Sequence, residues 1–188
     1  GRATAAEPAS QAPAPAPPVP TPAAVPEEVS LLAYEGPPPP SLPETIARDA
    51  DGRVTVRAVR VSEPLSIDGV LDERVYRDVL PAGGFIQTEP LAGTLATEQT
   101  DVWILFDDDN LYISARCWDS APESEWVANE MRRDNFGIFQ NDNLGLLIDT
   151  FYDRRNGIIF NINPISGRLD GQMFDERSFN IDWNPVWD

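Results

Sequence analysis

Residues 101–117 constrain this chain more than any other stretch. Asp101-Val102-Trp103-Ile104-Leu105-Phe106 and Leu111-Tyr112-Ile113-Ser114-Ala115-Arg116-Cys117 flank the turn Asp107-Asp108-Asp109-Asn110. β-branched and aromatic residues at period two on both sides of an Asp/Asn turn specify a β-hairpin. With a four-residue loop, Phe106 faces Leu111, Ile104 faces Ile113 and Val102 faces Ala115. The opposite face then pairs Asp101 with Arg116, Trp103 with Ser114 and Leu105 with Tyr112. This register predicts an aliphatic core face and an outer face carrying an opposite-charge pair. A slip of one residue would turn Ile104 and Ile113 the wrong way.

The pattern around the hairpin is also β. Residues 53–61 alternate Arg or Thr with Val or Ala and predict one half-buried strand, which Pro64 interrupts and residues 65–67 resume. Asp68-Gly69 makes a turn, and residues 71–79 predict a short helix with Asp72 and Glu73 in its first turn. A short strand is expected over 85–88, then a loop to 97. Residues 144–149, 158–163 and 168–174 predict three more strands, with Gly167 and Gly171 at bends. Many short strands with Gly/Asp/Asn turns indicate an all-β fold, an antiparallel β-sandwich. Ile104, Phe106, Ile113, Leu146, Ile148 and Phe160 are its expected buried residues.

The chain divides into a tail, residues 1–43, and a domain, residues 44–188. The tail contains most of the 19 prolines, including Pro37-Pro38-Pro39-Pro40. Such a composition cannot bury enough apolar surface to offset its ordering entropy, so a disordered or extended linker that packs on nothing is expected. Ala3-Thr4-Ala5 has the small-x-small pattern of a secretory cleavage site, which suits an exported protein. Residues 183–188 read as the start of a further strand. The chain is therefore read as a piece of a longer protein, its sandwich incomplete at the C-terminus. An incomplete sandwich would expose core side chains and an unpaired edge.

Composition removes most kinds of chemistry. There is no His, and all 14 basic residues are Arg. His general bases, Ser-His-Asp triads, Lys Schiff bases and His-ligated metals are thereby excluded. The net charge of -17 disfavours nucleic acid and anionic membrane surfaces. No segment has the ~20 apolar residues of a transmembrane helix. Calcium is the cofactor an acidic surface suits, and Asp107-Asp108-Asp109-Asn110 could hold it, although an Asp-rich hairpin tip is more often only a turn. Cys117, the only cysteine, reads as a small buried apolar residue.

Ser66-Ile67-Asp68-Gly69-Val70-Leu71-Asp72-Glu73 followed by the hairpin through Trp118-Asp119 resembles the start of a family 9 carbohydrate-binding module. The likeness runs from about Arg53 to Asp188. It is closest to the version at the N-terminus of bacterial outer-membrane proteins with a C-terminal β-barrel. The resemblance implies a jelly-roll-like sandwich, non-catalytic glycan binding and a role in polysaccharide breakdown. It also implies a periplasmic or outer-membrane location in a Gram-negative bacterium, with the barrel of the same polypeptide as partner. Aligned on the module's binding strand, Phe139 stands where a stacking Trp would sit. Gly145 falls where a sugar-binding carboxylate would be, and Asn161 where an Arg would be. The implied carbohydrate-binding residues are Phe139, Asn141, Asp142 and Asn161.

Aromatics beside polar side chains suit sugars, because a pyranose offers an apolar C–H face and hydroxyls that need donors and acceptors. Trp103, Tyr112, Trp118, Trp126, Phe139, Trp183 and Trp187 supply the rings, most of which packing alone would explain. Asp149 with Asp153, or Glu125 with Glu130, has the composition of a glycosidase pair, but nothing places either across a cleft, and no enzyme is expected. Arg132-Arg133-Asp134 and Asp153-Arg154-Arg155 read as charge-paired loop anchors. Three functions stay open: a carbohydrate-binding module, a structural, docking or plug domain of an outer-membrane barrel, and a haem-binding relative of the sandwich.

Overall fold

The computed structural model describes residues 36–188. Their regular structure is almost wholly β: β1 (Ile46–Arg48), β2 (Val54–Val56), β3 (Val59–Arg60), β4 (Thr100–Phe106), β5 (Leu111–Cys117), β6 (Leu144–Ile148), β7 (Gly157–Ile162), β8 (Arg168–Phe174) and β9 (Ser178–Asn180). One single-turn helix, α1 (Val75–Asp78), and two 3-10 turns, Glu123–Glu125 and Phe136–Gln140, complete it. The strands form three sheets in the orders β1-β2, β3-β4-β5 and β6-β7-β8-β9. The chain thus has the expected all-β, sandwich-like architecture. Its pairings are antiparallel except for β3 on β4, which is parallel.

Residues 53–61 are divided between two sheets instead of forming one strand. β2 pairs with β1, the Arg57 N–H donates to the Thr45 carbonyl, and the chain then crosses to β4 as β3. The helix expected over 71–79 shrinks to one turn. Arg74 at its N-cap offers no side-chain acceptor to the free N–H groups, and Glu73 instead accepts from Ser66 N at 2.8 Å. In place of a strand over 85–88 there is a single bridge, Ile86 to Leu95. Residues 183–188 carry no regular structure, and Gly171 lies inside β8 rather than at a bend. The end of the Pro-rich stretch does pack: the Pro37 and Pro40 carbonyls accept from the Thr55 hydroxyl and the Arg57 guanidinium. The rest of the linker lies outside the described residues.

The hairpin has the expected register at every pair, from Val102 opposite Ala115 to Phe106 opposite Leu111. The buried face is the other one. Trp103 and Leu105 are 4% and 0% exposed, whereas Ile104, Phe106 and Ile113 are half-buried, as are Leu146, Ile148 and Phe160. The expectation fails because elements distant in sequence cover the Trp103 face. Val59 and Val61 extend that face, and Leu65, Leu71, Val75, Tyr76, Val79 and Tyr112 pack on it. Trp103 Nε1 donates to the Val79 carbonyl at 2.9 Å, and Tyr76 meets the indole edge-on at 5.4 Å. Burial of the large ring is thus accompanied by satisfaction of its only polar atom. Asp101 and Arg116 sit opposite one another without an ion pair. The carboxylate accepts from Gln99 Nε2 and Trp118 Nε1, and the guanidinium lies over Trp103 and Trp118.

Candidate functional site

Of the resemblance-implied residues the four-stranded sheet carries Asn161, while Phe139, Asn141 and Asp142 lie in the loop beside it. Residues 127–143 run beside the sheet and are held to it by buried amides. Asn141 Oδ1 accepts from Asn129 N at 2.8 Å, Glu130 N at 2.9 Å and Asn163 Nδ2 at 3.1 Å. Its Nδ2 donates to Asn129 Oδ1 at 3.0 Å. Asn163 Nδ2 also donates to the Glu130 carbonyl, and its Oδ1 accepts from Gly167 N at 2.7 Å. Gly167 is required at this point because a Cβ there would stand 2.2 Å from the Glu130 carbonyl oxygen. Glu130 is 7% exposed and is gripped by both Nε and Nη2 of Arg132, whose hydrogen bonds hold its carboxyl down at about 2. Asn141 is therefore fully committed to the loop. Asp142 is committed in the same way, its carboxylate accepting from Val127 N at 2.8 Å.

Phe139 and Asn161 carry no such commitment; Asn161 lies on a sheet face that Phe179 shares, and Phe139 meets that face through Phe136. Asn161 is opposite Gly145 on β6 and Leu169 on β8. Side chains alternate along a strand, so Leu169, Gly171 and Met173 share the Asn161 face. Phe179, opposite Met173, also lies on it and rests on Gly171, where a Cβ would come within 2.4 Å of its ring. Phe136 meets Phe179 at 5.7 Å between centroids and stacks on Phe139 at 6.2 Å with the rings 28° from parallel. Phe136 and Phe139 stay 56% and 46% exposed. Asn143 joins the two parts: its Nδ2 donates to the Ile138 and Asn141 carbonyls, and its Oδ1 stands 3.9 Å from the Gly145 Cβ position.

Asn161 is 4% exposed, and its carboxamide makes no hydrogen bond within the described residues. Among those residues the side-chain polar atoms that are sealed from solvent without a partner are Glu73 Oε2 and Asp170 Oδ2. The Asn161 amide is therefore unpaired but still reaches the surface. Its Oδ1 lies 2.8 Å from where a Gly145 Cβ would be, so the amide can lie across β6 only because residue 145 is Gly. Phe136, Phe179 and this packing of Asn161 on Gly145 have no signal in a linear reading, apart from the i, i+3 spacing of Phe136 and Phe139.

The other candidates have structural roles. Asp107 accepts from Asp109 N, Asn110 N and the Tyr112 hydroxyl, and Asp108 pairs with Arg60. No group of three or more carboxylate or thiol side chains gathers to hold a cation among the described residues. Asp149 and Asp153 cap turns through Phe151 N, Arg154 N, Arg155 N and Asn156 N. The expected loop anchors are real: Arg133 pairs with Asp134 and with the fully buried Asp170, and Arg155 with Asp175. Trp187 donates to Asp170 at 2.9 Å and packs edge-on against Phe160. Cys117 is exposed, contrary to expectation, because β5 ends there and its side chain falls outside the covered face. No described helix is long and apolar enough to cross a membrane.

Comparison of the chain with protein-family models, with curated proteins and with solved structures finds no match.

Proposed function

We propose that this domain is a non-catalytic carbohydrate-binding module whose site is Phe139 with Asn161. The observation that carries the reading is an exposed ring, Phe139, joined through Phe136 and Phe179 to the sheet face that bears the unpaired, uncharged Asn161 carboxamide. A pyranose presents the complement, an apolar C–H face beside hydroxyls that both donate and accept. Asn141 and Asp142 are left out of the site because their polar atoms hold the 127–143 loop. With one neutral hydrogen-bonder and no charged one, affinity is weak. Each missing charge-assisted hydrogen bond forgoes about 1.5–3 kcal/mol. Export, a Gram-negative envelope location and a β-barrel partner belong to the same proposal and rest on the family resemblance alone.

The inward turn of Asn141 and Asp142 favours a second reading, a structural or docking domain with no sugar ligand. A glycan array separates the two. Binding at millimolar concentration that is lost in Phe139→Ala, in a protein whose fold is unchanged, supports the module. An array blank at that concentration replaces it with the docking domain.

A further inference from the structure

We infer that β6 is an interface strand whose partner is β6 of a second copy of this chain, paired antiparallel across a two-fold axis. The inference does not rest on the carbohydrate-binding reading. β6 is one edge of the four-stranded sheet, and it pairs with β7 alone. Among the described residues no other main-chain group bonds to residues 144–148. A free edge of this kind is a template for a further strand, and proteins blunt it with charge, Pro, a bulge or brevity. Leu144-Gly145-Leu146-Leu147-Ile148 has none of the first three and runs for five residues. Its register with β7 is unbroken, and Leu147 is 60% exposed. Two other edges are better defended. β9, across the same sheet, has three residues, two of them polar, and β5 carries Arg116.

Self-pairing fixes its own register. A two-fold axis through one edge makes the two strands antiparallel. Outward N–H and C=O groups alternate along a strand, so each residue meets one an even number of positions away. The register centred on Leu146 obeys this and uses all five residues. Leu146 meets Leu146 of the second copy, Leu144 meets Ile148 of the second copy, and Leu147 meets Gly145 of the second copy. The most exposed side chain of the strand thus falls where the opposite residue has none. Charge allows the approach at this edge. A net charge of -17 repels copies in general, but the acids that flank β6 are engaged locally. Asp142 accepts from Val127 N, and Asp149 accepts from Phe151 N and Arg154 N. A five-residue edge is smaller than the interfaces of stable dimers, so association is weak, and it strengthens with protein concentration and with salt.

The test is sedimentation velocity of the whole chain from about 0.01 to 1 mM, in low and in high salt. The weight-average mass is expected to climb towards twice that of the monomer, and further in high salt. Leu147→Glu, at an exposed position, sets a charge against the second copy and abolishes the rise with the circular dichroism unchanged. Cysteines locate the contact in a Cys117→Ser background, which removes the exposed thiol. With copper phenanthroline as oxidant, Leu146→Cys is expected to give a disulfide-linked dimer, because residue 146 faces itself. Leu144→Cys does so only when mixed with Ile148→Cys. A monomer at every concentration overturns the inference. A dimer that survives Leu147→Glu also overturns it, as does cross-linking by Leu144→Cys alone as readily as by Leu146→Cys.

Discussion

The Tyr112 hydroxyl donates at 2.6 Å to Asp107 Oδ2, reaching from the returning strand of the hairpin to the first residue of its turn. This bond, with those from the Asp109 and Asn110 N–H groups, lowers the Asp107 carboxyl from 3.8 to about 2. A depressed carboxyl stabilises the fold above its unfolded value. The contribution is complete above about pH 4 and is lost as pH falls through about 2. Tyr112→Phe is expected to raise the Asp107 titration towards 3.8, read by carboxyl-carbon NMR. A titration that does not move would assign the whole effect to the turn N–H groups.

The inverted burial of the hairpin makes a direct mutational contrast. Leu105→Ala is expected to cost about 2–5 kcal/mol, since the side chain is fully buried. Ile113→Ala, on the half-buried face, costs less. Urea unfolding of both variants gives the order, and a larger loss at Ile113 would return the core to the opposite face.

Asn141 and Asn161 have opposite consequences although both are buried. Asn141→Ala leaves Asn129 N and Glu130 N without their acceptor, at about 1–3 kcal/mol for each, while Asn163 Nδ2 keeps its bond to the Glu130 carbonyl. Asn161→Ala strands no hydrogen-bond partner, so its unfolding midpoint is expected to stay close to that of the parent chain while glycan affinity falls. Equal destabilisation by the two would give Asn161 a structural role.

Gly167→Ala tests the seam between the loop and the sheet. The new methyl would meet the Glu130 carbonyl oxygen, a backbone atom that cannot rotate away, with the Asn163 amide on its other side. Overpacking of this kind costs about 1–3 kcal/mol. The amides of residues 129 and 130 should exchange faster with solvent in this variant, and an unchanged exchange rate would show that the loop is not fastened there.

Local chemistry made the hairpin legible: an Asp/Asn turn, alternating side chains and one register that pairs like with like. It did not reveal which face is buried, because Trp103, Leu105 and Tyr112 are as apolar as Ile104, Phe106 and Ile113. Val61, Leu71 and Val79, far along the chain, settle that choice. The site follows the same division. An aromatic at 139 was visible, but the inward turn of Asn141 answers the N–H groups of residues 129 and 130, and the support beneath Phe136 comes from Phe179. Both are tertiary pairings that no spacing announces.

The parallel seating of β3 on β4 joins residues far apart in the sequence. The hairpin closes through neighbours in sequence, whereas Val59 must find Leu105 across a long intervening stretch. Closing so long a stretch costs more chain entropy than closing the four-residue turn of the hairpin. Without β3, the β4–β5 pair would leave the Leu105–Phe106 part of the other β4 edge unpaired and Trp103 and Leu105 without Val59 and Val61 over them. β3 covers one end of that edge and the Ala82 bridge to Val102 covers another part of it, so a two-residue strand and a single bridge share the task of keeping β4 from pairing with another chain.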